Sequence, residues 1–341
     1  MNIHKKILGS IEKVYATAYT KIDNELLFLA ATEGRGQCCA YEHAGNQETV
    51  VWDGPGGTMN IVPIPGREGE FLATQQFFPV FDAKECMLHY VKYEEGSWSV
   101  KPVMPFPYLH RFDLFVISGE VYFIGATLCS GKEFQQDWSK PGAVYVGKLS
   151  EGFDKPFETK KVLDGITKNH GFCAVTWDEK RGYFITGVEG VFLVYIPEDA
   201  GGEWKTERIL DHEVSDIAVC DIDGDGHLEI GTIEPFHGNK FVIYKKDAGW
   251  KPVYEQDIDF GHVVWGGDIL GKQSFLVGYR RDRMELMCIQ KDKSTGKMVT
   301  IQIDEDTGPS QISVAHEKDR VFILSANRQI DEVALYELKK A

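Results

Sequence analysis

The sequence predicts an all-β fold: a seven-bladed β-propeller with four-stranded blades. Three observations carry this expectation. A short apolar hairpin recurs along the chain with a spacing of roughly 45–50 residues, the sequence sign of a repeat architecture. The copies number seven. The last copy lacks its fourth strand, and a segment resembling that strand stands at the opposite end of the chain.

The copies begin near Tyr15, Thr58, His110, His170, Ser215, His262 and Ser310. The fifth is the plainest. Ser215-Asp-Ile-Ala-Val-Cys220 leads to a turn, then to Leu228-Glu-Ile-Gly-Thr232, a loop, and Lys240-Phe-Val-Ile-Tyr-Lys245. Short apolar runs bounded by Gly and Asp clusters read as strands. The fourth segment shows in Phe157-Glu-Thr-Lys-Lys-Val-Leu163 and again in Trp204-Lys-Thr-Glu-Arg-Ile-Leu210. Ile3-His-Lys-Lys-Ile-Leu8 resembles both, so the N-terminal strand is expected to complete the last blade and close the ring. Closure removes the exposed edge that an open array would leave. Residues 1–341 are read as one propeller domain.

Composition narrows the function classes. A charge of −15 argues against nucleic acid, whose phosphates need a basic surface. No apolar run reaches the ~20 residues of a membrane span, and the N-terminus shows no apolar signal segment. Seven cysteines, several inside apolar strands, read as reduced core thiols, so a cytoplasmic location is expected. Cys38 and Cys39 are adjacent and should point to opposite faces of a strand.

A propeller blade sorts its loops by face. Calling the strands a to d from centre to rim, the a–b turns lie on one face. The b–c loops and the d–a connections lie on the other. The run Asp221-Ile-Asp-Gly-Asp-Gly-His-Leu-Glu229 falls in an a–b turn. Asp221, Asp223, Asp225 and Glu229, spaced by glycines, form an oxygen-rich loop suited to a structural Ca2+. A Gly/Asp-rich turn without an ion is the plainer alternative.

The opposite face collects a different set. His170 and His262 each stand 15 residues before an equivalent position in strand b, Ile185 and Val277. Ser215 holds the matching place before Ile230, and His110 does so if its blade turns one residue earlier. Residues there should ring the mouth of the central channel. His110, His170 and His262 are therefore candidate ligands for a second, catalytic divalent transition metal, or acid–base groups. The b–c loops add Glu234 and His237, a candidate acid–base pair. They also add Gln76, Arg280 and Arg281, candidate substrate anchors, while Trp138 in the long loop 129–141 could cover the mouth.

Asp-x-Asp-Gly-Asp-Gly-x-x-Glu followed by Ile-Gly resembles the repeat of FG-GAP and VCBS propellers. Glu234-Pro-Phe-His-Gly-Asn239 and Gly261-His-Val-Val-Trp-Gly-Gly-Asp268 are similar to the propeller part of aldos-2-ulose dehydratase-like proteins. The sixth copy, with Asp268-Ile-Leu-Gly-Lys272, lacks the later carboxylates. This resemblance implies a metal-dependent carbohydrate lyase or dehydratase acting on a sugar or keto-sugar at the mouth. The family's second, cupin-like part is not expected within these residues. Two other readings stand beside it. One is a non-catalytic glycan- or protein-binding propeller. The other is a glycoside hydrolase, which needs two carboxylates facing across the mouth. The sequence does not set an oligomeric state.

Overall fold

A computed structural model describes residues 1–43, 48–78 and 82–340. It contains seven separate four-stranded antiparallel sheets. Their innermost strands are Val14–Ile22, Ile61–Pro63, Leu109–Ile117, Phe172–Trp177, Asp216–Cys220, Gly261–Ile269 and Pro309–Glu317. Six blades take consecutive strands; the seventh runs in the order of its three C-terminal strands plus Asn2–Ser10. The propeller and its closure are therefore as the repeat predicts. Among the described residues, no helix is long and apolar enough to cross a membrane.

The closing strand pairs antiparallel with Glu332–Lys339, from Asn2 opposite Lys339 to Ser10 opposite Glu332. Asp331 secures the seam: its carbonyl accepts from the Ser10 hydroxyl at 2.9 Å, and its carboxylate accepts from the Lys13 amide at 2.6 Å. Lys5 Nζ adds two ion pairs of 2.7 Å, to Asp304 and Glu332.

Side-chain alternation explains the core. The second strand of six blades sends one wholly buried phenylalanine between blades: Phe28, Phe71, Phe123, Phe184, Phe275 and Phe322. The fifth blade supplies Phe241 from its third strand instead. Phe28 meets Phe322 edge-on at 5.8 Å, joining the first blade to the last. Phe241 meets Phe275 at 5.6 Å. Each such ring gains about 1.5–3 kcal/mol from leaving water. Cys38 and Cys39 do enter different core clusters, on opposite faces of their strand, and the seven cysteines are free thiols. Trp177 packs on Trp250 of the next blade at 5.7 Å, a structural rather than a binding contact.

Candidate functional site

The slot that opens each innermost strand is a real structural position. In four blades it carries a β-bulge, an extra residue that turns its side chain out of register. The bulged residues are Tyr15, His110, His262 and Ser310. His170 and Ser215 stand just before their strands. Asn169 fixes His170: its Nδ2 donates to the carbonyls of Gly171 at 3.1 Å and Thr186 at 2.9 Å. Gly171 cannot carry a side chain, because a Cβ would lie 2.6 Å from Thr186 Oγ1.

Ser215 is the small member of the ring, and the fifth blade fills the space from a loop. The Ser215 hydroxyl accepts the backbone N–H of His237 at 3.0 Å. His237 has φ 48°, the left-handed region. At the end of the same loop, a Cβ on Gly238 would come within 2.0 Å of the Glu234 carbonyl oxygen. The loop 234–238 thus folds tightly back and sets His237 over the mouth.

The imidazoles form one packed group. His170 lies 4.7 Å from His262 and 5.0 Å from His237, perpendicular to both at 87°. His237 and His262 stack at 5.0 Å. His170, His237 and His262 each offer a ring nitrogen within 4.8 Å of the others. The convergence expected of His110, His170 and His262 is thereby changed in one member. His110 stays beside His170, at 4.9 Å, but His237 completes the set. The third and sixth blades lie too far round the ring, whereas His237 enters through the gap that Ser215 leaves between the fourth and sixth.

Protonation follows from burial, the first cause for all four histidines. It pushes His110, His170 and His262 well below the usual imidazole range, and His237 down to about 3. The Arg111 guanidinium adds to this at each, and Arg280 at His237 and His262. The imidazoles are therefore neutral, the form that ligates metals. His262 Nδ1 donates to the Ser310 carbonyl at 2.7 Å. A carbonyl cannot donate, so the proton sits on Nδ1 and Nε2 keeps its lone pair. Buried ring nitrogens of His110, His170 and His237 have no hydrogen-bond partner among the described residues.

Four residues outside the sequence-based candidates complete the mouth. Tyr15 reaches across it, with its hydroxyl 3.5 Å from His170 Nε2. Arg111 ties three blades together, donating to the carbonyls of His170 at 3.1 Å and Met59 at 2.9 Å. Phe236 and Phe260 flank His237 at 4.1 and 4.7 Å. Tyr15 was findable, since it holds the slot of His110. Arg111, Phe236 and Phe260 sit beside or near histidines in sequence but carry no pattern of their own. Below the mouth lies a channel of about 500 Å3 lined by Asn60, Arg111, Asp113, Asp216 and Gln311, among others. Burial lifts the Asp216 carboxyl to about 7, and Asp216 stands 3.6 Å from His170 Nδ1.

The other expected site residues scatter around this centre. Arg280 and Arg281 lie over Phe260, at 5.3 and 4.7 Å. Trp138 meets Phe236 edge-on at 6.2 Å and is covered by Lys132 at 3.2 Å. Gln76 is held at φ 63°, its backbone N–H donating to the Gly56 carbonyl at 2.8 Å. Glu234 does not pair with His237. Its carboxylate accepts from Thr232 Oγ1 at 2.6 Å and Tyr244 at 3.3 Å, and lies 3.1 Å from His212 Nε2. Glu33 is held by Arg328 at 2.6 Å. Glu33 and Glu234, the two carboxylates that b–c loops bring to this face as candidates for a hydrolase pair, are thus both engaged by neighbouring side chains.

The acidic loop lies in its a–b turn, between Asp216–Cys220 and Glu229–Glu234. Its own backbone uses part of it: Asp221 accepts the amides of Asp225 at 3.0 Å and Gly226 at 2.9 Å. Lys245 Nζ then enters its centre, 2.6 Å from Asp223, 2.6 Å from Asp225 and 3.1 Å from Glu229. An ammonium from the neighbouring strand stands among the carboxylates expected to hold calcium. Asp221, Asp223 and Asp225 nonetheless each offer an oxygen within 4.8 Å of the others, so a cation there would compete with Lys245.

Fold and site define a seven-bladed β-propeller with a histidine-plugged, arginine-rimmed mouth. No family model and no curated protein sequence matches the chain. Solved structures do. The chain is similar to the Cps50 (Swd1) β-propeller domain of Myceliophteria thermophila, with 8% identity, TM-score 0.61, and 99% and 100% of the two chains covered. It is similar to Saccharomyces cerevisiae Sqt1, with 8% identity, TM-score 0.58, and 99% and 98% covered. It is also similar to a luciferin-regenerating enzyme, with 9% identity, TM-score 0.51, and 99% and 96% covered. At such identities the likeness is one of fold.

Proposed function

We propose that this chain is a ligand-binding propeller whose site is the histidine mouth, with a divalent transition metal held by His170, His237 and His262. The convergence of their three ring nitrogens within 4.8 Å carries the reading. Neutral, desolvated imidazoles suit zinc-like ions, and three histidines leave a coordination position open. Tetrahedral ligands 2.0–2.1 Å from zinc stand about 3.3 Å apart, so small ring rotations would complete the site. Asp216, beside His170, is placed to orient that ring.

Binding is preferred to elimination for a chemical reason. A lyase of the kind the dehydratase resemblance implies needs a base tuned near the working pH. Burial keeps the mouth histidines neutral but makes them weak bases, Glu234 is engaged with Thr232, Tyr244 and His212, and Asp216, the remaining group with a value near neutral, is taken up beside the ligand His170 at 3.6 Å. The propellers to which the chain is similar include one in a mitotic checkpoint complex, a protein assembly.

The test is equilibrium dialysis of purified protein against zinc. One equivalent per chain is expected, lost in His170→Ala. Equal zinc uptake by wild type and variant overturns the reading. Metal-dependent turnover of a keto-sugar would move it to the lyase.

A further inference from the structure

The mouth carries positive charge that the protein does not neutralise. Arg280 has one side-chain partner, the neutral amide oxygen of Gln329, at 3.3 Å from Nε and 3.1 Å from a terminal nitrogen. Among the described residues, Arg281 has no side-chain hydrogen bond, and no carboxylate oxygen lies within 4 Å of either guanidinium. Glu33, the acidic group whose charge most favours Arg280, is bound by Arg328. Burial meanwhile works against the Arg280 charge. An uncompensated pair of guanidiniums on a chain of net charge −15 is a local exception. A concave mouth focuses its field on an incoming anion.

Geometry gives the anion a place. Both guanidiniums lie over the Phe260 ring, and Phe260 is 4.7 Å from His237. His237 is stacked in turn on Phe236 at 4.1 Å. A planar carboxylate fits the guanidinium fork in two parallel hydrogen bonds. A ring attached to it would extend over these aromatic walls, which inorganic phosphate has no body to use.

We propose that Arg280 and Arg281, on the Phe260 shelf, form a carboxylate-binding subsite for a small ring-bearing acid such as a sugar acid. The inference rests on the reading of the mouth as the ligand site, but not on the metal. A carboxylate bound there would also offset the arginine charge that opposes a cation at the histidines.

Calorimetric titration with glucuronate, glucose and inorganic phosphate tests it, on metal-stripped and on zinc-loaded protein. Glucuronate is expected to bind at least 10-fold more tightly than glucose and than phosphate. Losing a hydrogen-bonded charge pair costs about 10- to 100-fold, so Arg281→Gln should weaken glucuronate by that much. Arg281 is exposed, and its substitution should leave folding intact by circular dichroism. The double variant Arg280→Gln/Arg281→Gln should abolish binding. Equal affinity for glucose, tighter binding of phosphate, or no effect of Arg281→Gln overturns the subsite. Zinc bound without glucuronate defeats this inference alone. Glucuronate bound without zinc defeats the metal reading alone.

Discussion

His262 donates its Nδ1 proton to the Ser310 carbonyl at 2.7 Å, which leaves Nε2 unprotonated on a ring packed 4.7 Å from His170. The bond joins two adjacent blades, so the ring that closes the fold also sets the tautomer of a candidate ligand. Zinc affinity should therefore depend on His262 and His237 but not on His110, which lies outside the convergent set. His262→Ala and His237→Ala are expected to lose more than the 10- to 100-fold typical when a group that only orients a ligand is removed. His110 packs on His170 but offers no convergent nitrogen, so His110→Ala should cost far less than either, within about threefold of wild type. Competition with a chromophoric chelator measures all three. A loss in His110→Ala as large as in His237→Ala would reinstate the slot histidines as the ligand set.

Ring closure makes its own demand. Phe322 is fully buried at the seam of the first and last blades, against Phe28. Phe322→Ala should cost about 3–5 kcal/mol, whereas Phe134→Ala, at a residue 59% exposed, should cost within about 0.5 kcal/mol. Urea unfolding of both variants checks the contrast. Similar midpoints would show that the seam does not hold the ring.

Lys245 pairs with Asp223, Asp225 and Glu229, three of the four carboxylates of the acidic loop. Lys245→Met removes the ammonium and leaves its methylene stem. The variant is expected to bind calcium at least 10-fold more tightly than wild type, since one full competing charge is gone. Calcium titration followed by calorimetry measures this. Tight calcium binding by wild type, unchanged in Lys245→Met, would show that the lysine is no substitute for the ion.

Asp113 gives a pH dependence of known sign. Burial holds its carboxyl above the ordinary value of 3.8, against hydrogen bonds from the Leu114 amide and the Tyr183 hydroxyl. The folded protein thus keeps this proton to higher pH than the unfolded chain. The resulting stability is full below pH 3.8 and is lost as pH rises through the folded value. Asp113→Asn cannot ionise, so its stability relative to wild type should rise as the pH climbs from 3.8 through the folded value. Denaturant midpoints at several pH values read this out; a difference constant with pH would contradict it.

Gly238 tests how His237 reaches the mouth. A methyl group at 238 would collide with the Glu234 carbonyl at 2.0 Å, so the loop must open to admit it. Gly238→Ala is expected to weaken zinc at least 10-fold, an effect of ligand displacement. Thermal unfolding should report the accompanying change in stability. Unaltered zinc affinity would mean that the loop does not position His237.

The repeat made most of the fold legible, because propeller blades are nearly self-contained and their strands follow one another in sequence. Even the split last blade showed, since Ile3–Leu8 carries the pattern of a fourth strand. The mouth was legible only in part. Equivalent slots placed His110, His170 and His262 on one face, but spacing along a chain does not give distance around a ring. That His237 fills the gap above Ser215 depends on a left-handed residue and a tight loop, and neither has a periodic signature. Lys245 was invisible for a similar reason. It lies on the next strand of its blade, and only folding brings it among the carboxylates.

The central claim is that His170, His237 and His262 share one metal ion. The most direct measurement is an anomalous difference map at the zinc edge from zinc-loaded crystals. The account predicts one strong peak at the mouth, about 2.0–2.1 Å from a ring nitrogen of each histidine. A map with no peak there, or with its peak in the loop of Asp221, Asp223 and Asp225 instead, would contradict it.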